Sequence, residues 1–357
     1  MRRRAVAICR GFPGLGRVVG ALEVLRMLRQ ERGFDTRVAT YWQGEAYARM
    51  AGEAIGFVPD NADICSTGVV PVSRSADELF AWLNGWDPDI VVFDGEPGLL
   101  QVHQLAYGRR ISIAMLNPSD VQNESIPLHS QAYFRACFSS ADVALVHGLC
   151  RQSAPVGFRA FHSIATILRA SVLALRPSGG RRIVFLLGGG TTYARGRFVE
   201  DTASIAALAV PLSLKLPGYE VEIQASDKGL ATRLSALMGD AVRVRLATDA
   251  RTPAALYEST ALVVARAGRN SISELLYLGI PAMLVATNDG HRGGEQRRNV
   301  EAALTEGSAR LIPHILGEPA DRFLAGVEDL LDRGLGPVGL WCPGNGDLSS
   351  IFDDIGV

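Results

Sequence analysis

Short unbroken apolar runs recur along the chain, separated by segments in which apolar residues return at a helical period. In the first half strands are expected at residues 5–9, 36–40, 90–93, 111–116 and 143–146, all but 36–40 as apolar runs. Runs this short, with no polar alternation, predict strands buried on both faces. Between the first two, Leu22, Leu25, Met27 and Leu28 give an apolar face to a helix expected over 18–30, which Gly33 closes. Strands alternating with helices build a doubly wound parallel sheet.

Pro177, Ser178, Gly179 and Gly180 interrupt this rhythm, and residues 169–182 read as a linker. The pattern restarts with the apolar run 183–187 and the turn Gly188-Gly189-Gly190-Thr191-Thr192. Further strands are expected at 213–216, 220–223, 242–245, 261–265 and 282–286, with helices over 253–258, 271–278 and 320–331. Each half thus opens with strand, glycine-rich turn and helix. The expected fold is α/β, with two Rossmann-like parallel-sheet domains, 1–168 and 183–340, facing a central cleft. A glycine-rich tail, 341–357, is expected to cross back to the first domain.

Composition narrows the function. At 357 residues, 48% of them hydrophobic, the chain is too long for one ordinary core and suits two. Thirty-six basic residues against 37 acidic leave a net charge of -1, so no global field recruits nucleic acid or an anionic membrane. The apolar run behind Arg2, Arg3 and Arg4 is too short for a signal peptide or a spanning helix. A cytoplasmic protein with at most peripheral membrane contact is expected. Cys9, Cys65, Cys137, Cys150 and Cys342 are scattered without a C-x-x-C pair, which argues for reduced thiols and against a zinc site.

The segment 263–299 carries the strongest chemical signal. A strand runs into a turn at Gly268, Arg269 and Asn270, and a helix follows from Ser271. The free amides and positive dipole of such a helix end stabilise a diphosphate without a metal, and Gly268 lets backbone approach it closely. Arg266-Ala267-Gly268, Ser273-Glu274, Gly279-Ile280-Pro281 and 296–299 together resemble the donor-site signature of MurG-like glycosyltransferases of the GT-B fold, family 28. The resemblance implies that Glu274 holds ribose hydroxyls, that Gly268, Asn270 and Ser271 face the diphosphate beside Arg266, and that Glu295 and Gln296 reach the sugar. Gly190 and Thr191 form a second turn able to face phosphate. Ser271-x-x-Glu274 is equally a capping box, in which the glutamate turns back to the helix end. His291 is either a solvated loop residue or an acid–base group.

Glycosyl transfer needs a base for the acceptor hydroxyl, expected from the first half. The loop Gly11-Phe12-Pro13-Gly14-Leu15-Gly16-Arg17 resembles the G-x-G-H turn of many GT-B enzymes, but Arg17 stands where the family's histidine often serves as base. Arginine stays protonated, so Arg17, with Gly14 and Gly16, is assigned to an anionic acceptor or the leaving phosphate, against the alternative of a solvated helix-start residue. Asp94 and Glu96 follow a buried strand and are the catalytic candidates, Asp94 favoured; shaping a turn is the alternative. His103 and His129 are more distant candidates. Asp87-x-Asp89 sits at a proline turn, and no metal or other cofactor is implied.

The resulting expectation is a metal-independent, inverting glycosyltransferase that moves a sugar from a nucleotide diphosphate sugar, uridine favoured, to a small-molecule or lipid-linked acceptor. The alternative is a nucleotide-sugar hydrolase or 2-epimerase on the same fold. An NAD-dependent Rossmann enzyme fits less well, because the chain has G-x-x-G-x-G where G-x-G-x-x-G is needed.

Overall fold

A computed structural model describes residues 2–11, 15–58, 76–107, 110–121, 128–188, 197–225, 232, 235–236, 244–247, 251–290, 293–306 and 309–357. The chain divides into two compact units, Met1–Arg169 with Gly344–Val357, and Ala170–Pro343.

Among the described residues, the first unit holds seven strands: β1 (Arg4–Cys9), β2 (Asp35–Ala39), β3 (Ile55–Phe57), β4 (Ile90–Asp94), β5 (Ile111–Leu116), β6 (Val143–Gly148) and β7 (Phe161–Ala165). Their order is β3-β2-β1-β4-β5-β6-β7, and every pairing is parallel. The chain runs outward from β1 to β3 and then returns to β4 on the other side of β1. That reversal opens a crevice at the carboxyl ends of β1 and β4, where ligands of such sheets bind. Ala5, Ala7 and Cys9 point into one core, Val6 and Ile8 into the other, so β1 is apolar throughout. The Gly16–Arg32 helix buries Val18, Ala21, Leu25 and Leu28 and ends at Gly33 in the left-handed region, φ 70°. A helix at Asn345–Asp354, which the glycine-rich tail does not announce, sends Leu348, Ile351 and Phe352 into the core of β1. Asn345 fastens it, since its amide accepts from the Leu168 N–H and donates to the Leu168 carbonyl, each at 2.8 Å.

The second unit repeats the plan with β8 (Arg182–Gly188), β9 (Glu220–Ala225), β10 (Val244–Ala247), β11 (Thr260–Arg266), β12 (Ala282–Val285) and β13 (Leu311–His314). The order β10-β9-β8-β11-β12-β13, all parallel, places the corresponding crevice between β8 and β11. Two expectations need correction. Residues 213–216 are no strand, because Ser213 to Lys215 complete the Ala209–Lys215 helix. Their four-residue alternation is outweighed by the helical spacing of buried Ala209 and Leu212 with partly buried Leu216. The helix expected from Ser271 begins two residues earlier, at Arg269, with Gly268 as its N-cap.

Candidate functional site

At the β1/β4 crevice the chain assembles a cluster of charge. Asp94 is the last residue of β4 and sits in register with Cys9 at the end of β1. Arg10 follows β1 directly, and Arg17 lies in the first turn of the Gly16–Arg32 helix. Arg17 donates to Asp94 Oδ1 at 2.7 Å through Nη1, and to both oxygens of Asp120 at 2.8 and 3.0 Å. Arg17 is thus held by two carboxylates of its own unit. Burial works against its charge, but Asp120 and Asp94 outweigh that and hold it firmly protonated. Burial likewise pushes Asp120 up, and Arg17 brings it below the ordinary aspartate value.

Glu96 is fully buried, two residues beyond Asp94. Its Oε1 accepts from the Tyr41 hydroxyl at 2.9 Å and lies 3.8 Å from Arg10 Nε, while its Oε2 has no hydrogen-bond partner among the described residues. Burial raises its pKa to about 7 against the opposing pull of Arg10 and the Tyr41 bond. Two guanidiniums here face three carboxylates, so the cluster is charge-balanced when Glu96 holds a proton. A buried carboxyl with that charge balance can take up or release a proton near neutrality. Gly95, between the two acids, has φ +85°, and a Cβ there would lie 2.5 Å from Arg17 Cδ. Arg10 also donates to the Gly95 carbonyl.

Sequence reasoning missed Arg10, Tyr41 and Asp120. Arg10 and Tyr41 lie one and two residues past β1 and β2, and Asp120 lies in the first turn after β5, the positions where side chains gather at the carboxyl edge of a parallel sheet. That rule could have found them. His103 is buried against Phe93 with its pKa lowered to about 4, first by burial and then by Arg110, whereas His129 is exposed. Asp87 pairs with Arg110 at 2.9 Å and Asp89 accepts from the Arg4 N–H at 2.7 Å, so both carboxylates are engaged by distant residues. Among the described residues, no group of three or more His, Cys, Asp or Glu side chains is placed to hold a metal ion.

The β8/β11 crevice is built differently. Gly268 accepts from the Ile272 N–H at 3.0 Å, starting the Arg269–Leu278 helix directly beyond β11. Ser271 is therefore inside the first turn, and the capping box has no N-cap side chain. Glu274 instead accepts at Oε2 from the buried Tyr257 hydroxyl at 2.7 Å. Arg266 ends β11 with its guanidinium 4.4 Å over the Phe198 ring and Nη1 donating to Thr202 at 3.3 Å, so it braces the Arg197–Ala207 helix. Asn270 accepts from Arg269 Nε at 3.0 Å. Asn299 donates to the Ala267 carbonyl at 3.2 Å, tying this turn to the Gly293–Thr305 helix. On that helix Glu295 is half-buried, and Gln296 is buried with Oε1 accepting from the Thr287 N–H at 2.8 Å. The turn after β11 and the loop after β12 are thus bound to one another. Gly14, Gly190, Thr191 and His291 lie outside the described residues.

Residues 213–320 match the model of the glycosyltransferase family 28 C-terminal domain, a span that contains the turn after β11 and the loop after β12. No curated protein matches the chain at the level of sequence. Solved structures do. A candidate UDP-N-acetylglucosamine 2-epimerase from Listeria monocytogenes aligns over 99% of this chain and 97% of its own, with 13% identity and a TM-score of 0.66. Spinosyn forosaminyltransferase SpnP aligns over 100% and 95%, at 17% identity and TM-score 0.60. MurG from Acinetobacter baumannii aligns over 93% and 91%, at 16% identity and TM-score 0.53. Identities this low speak for the fold, and the family model speaks for the domain. The solved structures show the GT-B fold, and the family model shows that residues 213–320 match a glycosyltransferase family 28 C-terminal domain.

Proposed function

We propose that the chain moves a sugar from a nucleotide diphosphate sugar, a UDP-sugar favoured, to an acceptor hydroxyl with inversion and without a metal ion. The observation that carries this reading is the Arg269–Leu278 helix, which opens at the β8/β11 switch point with Glu274 buried one turn along. In it the amides after Gly268 take the diphosphate beside Asn270 and Ser271, Glu274 holds the ribose, and Glu295 and Gln296 reach the sugar. Partial positive charge at the helix end offsets charge developing on the leaving group, the task a metal performs elsewhere. Arg266 acts by bracing the turn. Gly190, Thr191 and His291 are kept on the donor side on sequence grounds.

In this reading Glu96 is the base and Asp94 holds Arg17 in place. A carboxyl with its pKa near 7 matches proton abstraction at neutral pH better than one paired to an arginine. The enclosing side chains must shift for an acceptor to touch Glu96. The acceptor is a small molecule or a lipid-linked precursor met in the cytoplasm. Calorimetry with UDP-, TDP- and GDP-sugars in EDTA, followed by product NMR, tests the proposal. Binding of a UDP-sugar and an inverted anomeric centre are expected; no binding by any of these donors would sink it.

One observation favours a second reading, a nucleotide-sugar hydrolase or 2-epimerase. Asp94 and Glu96 are both fully enclosed, which suits acid–base chemistry on the donor itself. Donor incubated alone decides: rapid hydrolysis or isomerisation selects the second reading, and a stable donor selects transfer.

A further inference from the structure

Glu274 lies on a helix, yet what fixes its carboxylate comes from elsewhere. Tyr257 ends the short Pro253–Tyr257 helix, only 1% exposed, and donates to Glu274 Oε2 at 2.7 Å. That helix is pinned at both ends. Thr252 caps its start by accepting from the Ala255 N–H at 3.3 Å, and Pro253 presets the first turn. At its close, Arg182 donates through Nη2 to the Ala255 and Leu256 carbonyls at 2.6 and 2.8 Å, and Thr260 donates to the Leu256 carbonyl at 2.7 Å. The hydroxyl is therefore carried by a clamped element and has few ways to move. A glutamate has three side-chain torsions, and an unfixed one loses that freedom when it binds a ligand.

We propose that Tyr257 is a positioning residue that sets the plane of the Glu274 carboxylate and thereby the chain's preference for a ribonucleoside diphosphate over its 2′-deoxy form. The proposal rests on the reading that Glu274 holds ribose. A diol meets a carboxylate well in one orientation, so the selectivity for the 2′-hydroxyl depends on that orientation being set beforehand. A residue that only filled space beneath the helix would leave this selectivity alone.

The test is calorimetry with UDP and 2′-deoxy-UDP on the full chain, its Tyr257→Phe variant and its Glu274→Gln variant. The wild type is expected to prefer UDP by about tenfold, the scale of one hydrogen bond to a charged group. Tyr257→Phe keeps the ring and should bring that ratio towards one, while turnover at saturating donor changes less than about twofold. If Glu274→Gln abolishes the preference and Tyr257→Phe retains it, the positioning role is overturned and the ribose reading stands. If Glu274→Gln also retains it, or wild type fails to bind UDP, the ribose reading falls and takes this proposal with it. Should Tyr257→Phe unfold, Thr252→Ala removes the cap of the helix that carries the hydroxyl instead. Loss of the ratio there supports the proposal, and an unchanged ratio overturns it.

Discussion

The two crevices occupy the same place in the same topology and are electrostatic opposites. At β1/β4 the chain supplies its own charges and its own counter-charges, Arg10 and Arg17 against Asp94, Glu96 and Asp120. At β8/β11 the cation equivalent is a helix end made of backbone amides, with Glu274 fixed by a neutral hydroxyl. The fold decides where a ligand goes; side chains at the carboxyl edge decide what is done there. A self-neutralised cluster suits handling a proton, and a helix N-terminus suits holding an anion.

The largest test of this contrast is Glu96→Gln. It preserves the Tyr41 contact but removes the basic oxygen, so turnover should fall by about a thousandfold with little change in donor affinity, read from steady-state kinetics and calorimetry. Unchanged turnover would move the base out of this crevice. Next is Arg17→Met, which leaves Asp94 and Asp120 without their shared cation. A loss of about 3 kcal/mol in denaturant unfolding is expected, because a carboxylate left buried and unpaired is costly. Full stability would mean Arg17 serves a ligand after all.

The pH dependence sharpens the same point. The Glu96 carboxyl stands at about 7 in the folded chain against an ordinary value of 4.5. The unfolded chain therefore loses this proton first, so the stability it contributes is complete below about pH 4.5 and declines as pH rises towards 7, by roughly 3 kcal/mol. Activity should climb over the same interval as the base ionises. Denaturant midpoints at about pH 5 and about pH 8 should differ in that sense in the native chain and converge in Glu96→Gln. The smallest effect separates two glycines. Gly95→Ala should cost about 1–2 kcal/mol, given its positive φ and the closeness of Arg17. At Gly268, where φ is −79° and a Cβ would meet nothing nearer than 3.8 Å, alanine should fold within about 0.5 kcal/mol of native yet bind nucleotide about tenfold less well. Equal binding would show that no ligand approaches that backbone.

Much of the architecture was legible, because strands buried on both faces leave unbroken apolar runs and helices between them keep their period. β1, β4, β5, β8 and β11 lie where those runs are. The short edge strands β3, β7 and β13 were not legible, since partly exposed strands carry no such run. In the second unit the turn at Gly268 and the helix that carries Glu274 could be placed from local order. Ser271-x-x-Glu274 still misdirected the helix start, because a capping pattern states a preference and Gly268 satisfied the backbone first. The pairing of Arg17 with Asp120, 103 positions away, and of Arg10 with Glu96 depends on strand order and register. No window along the chain contains that information.

The Asn345–Asp354 helix has a consequence for how the molecule is made. Leu348, Ile351 and Phe352 complete the core around β1, but they leave the ribosome only after all of Ala170–Pro343 has been synthesised. At a bacterial or eukaryotic elongation rate that delay is about ten to thirty seconds. The second unit is therefore synthesised in full before the first has the three apolar side chains that complete its core.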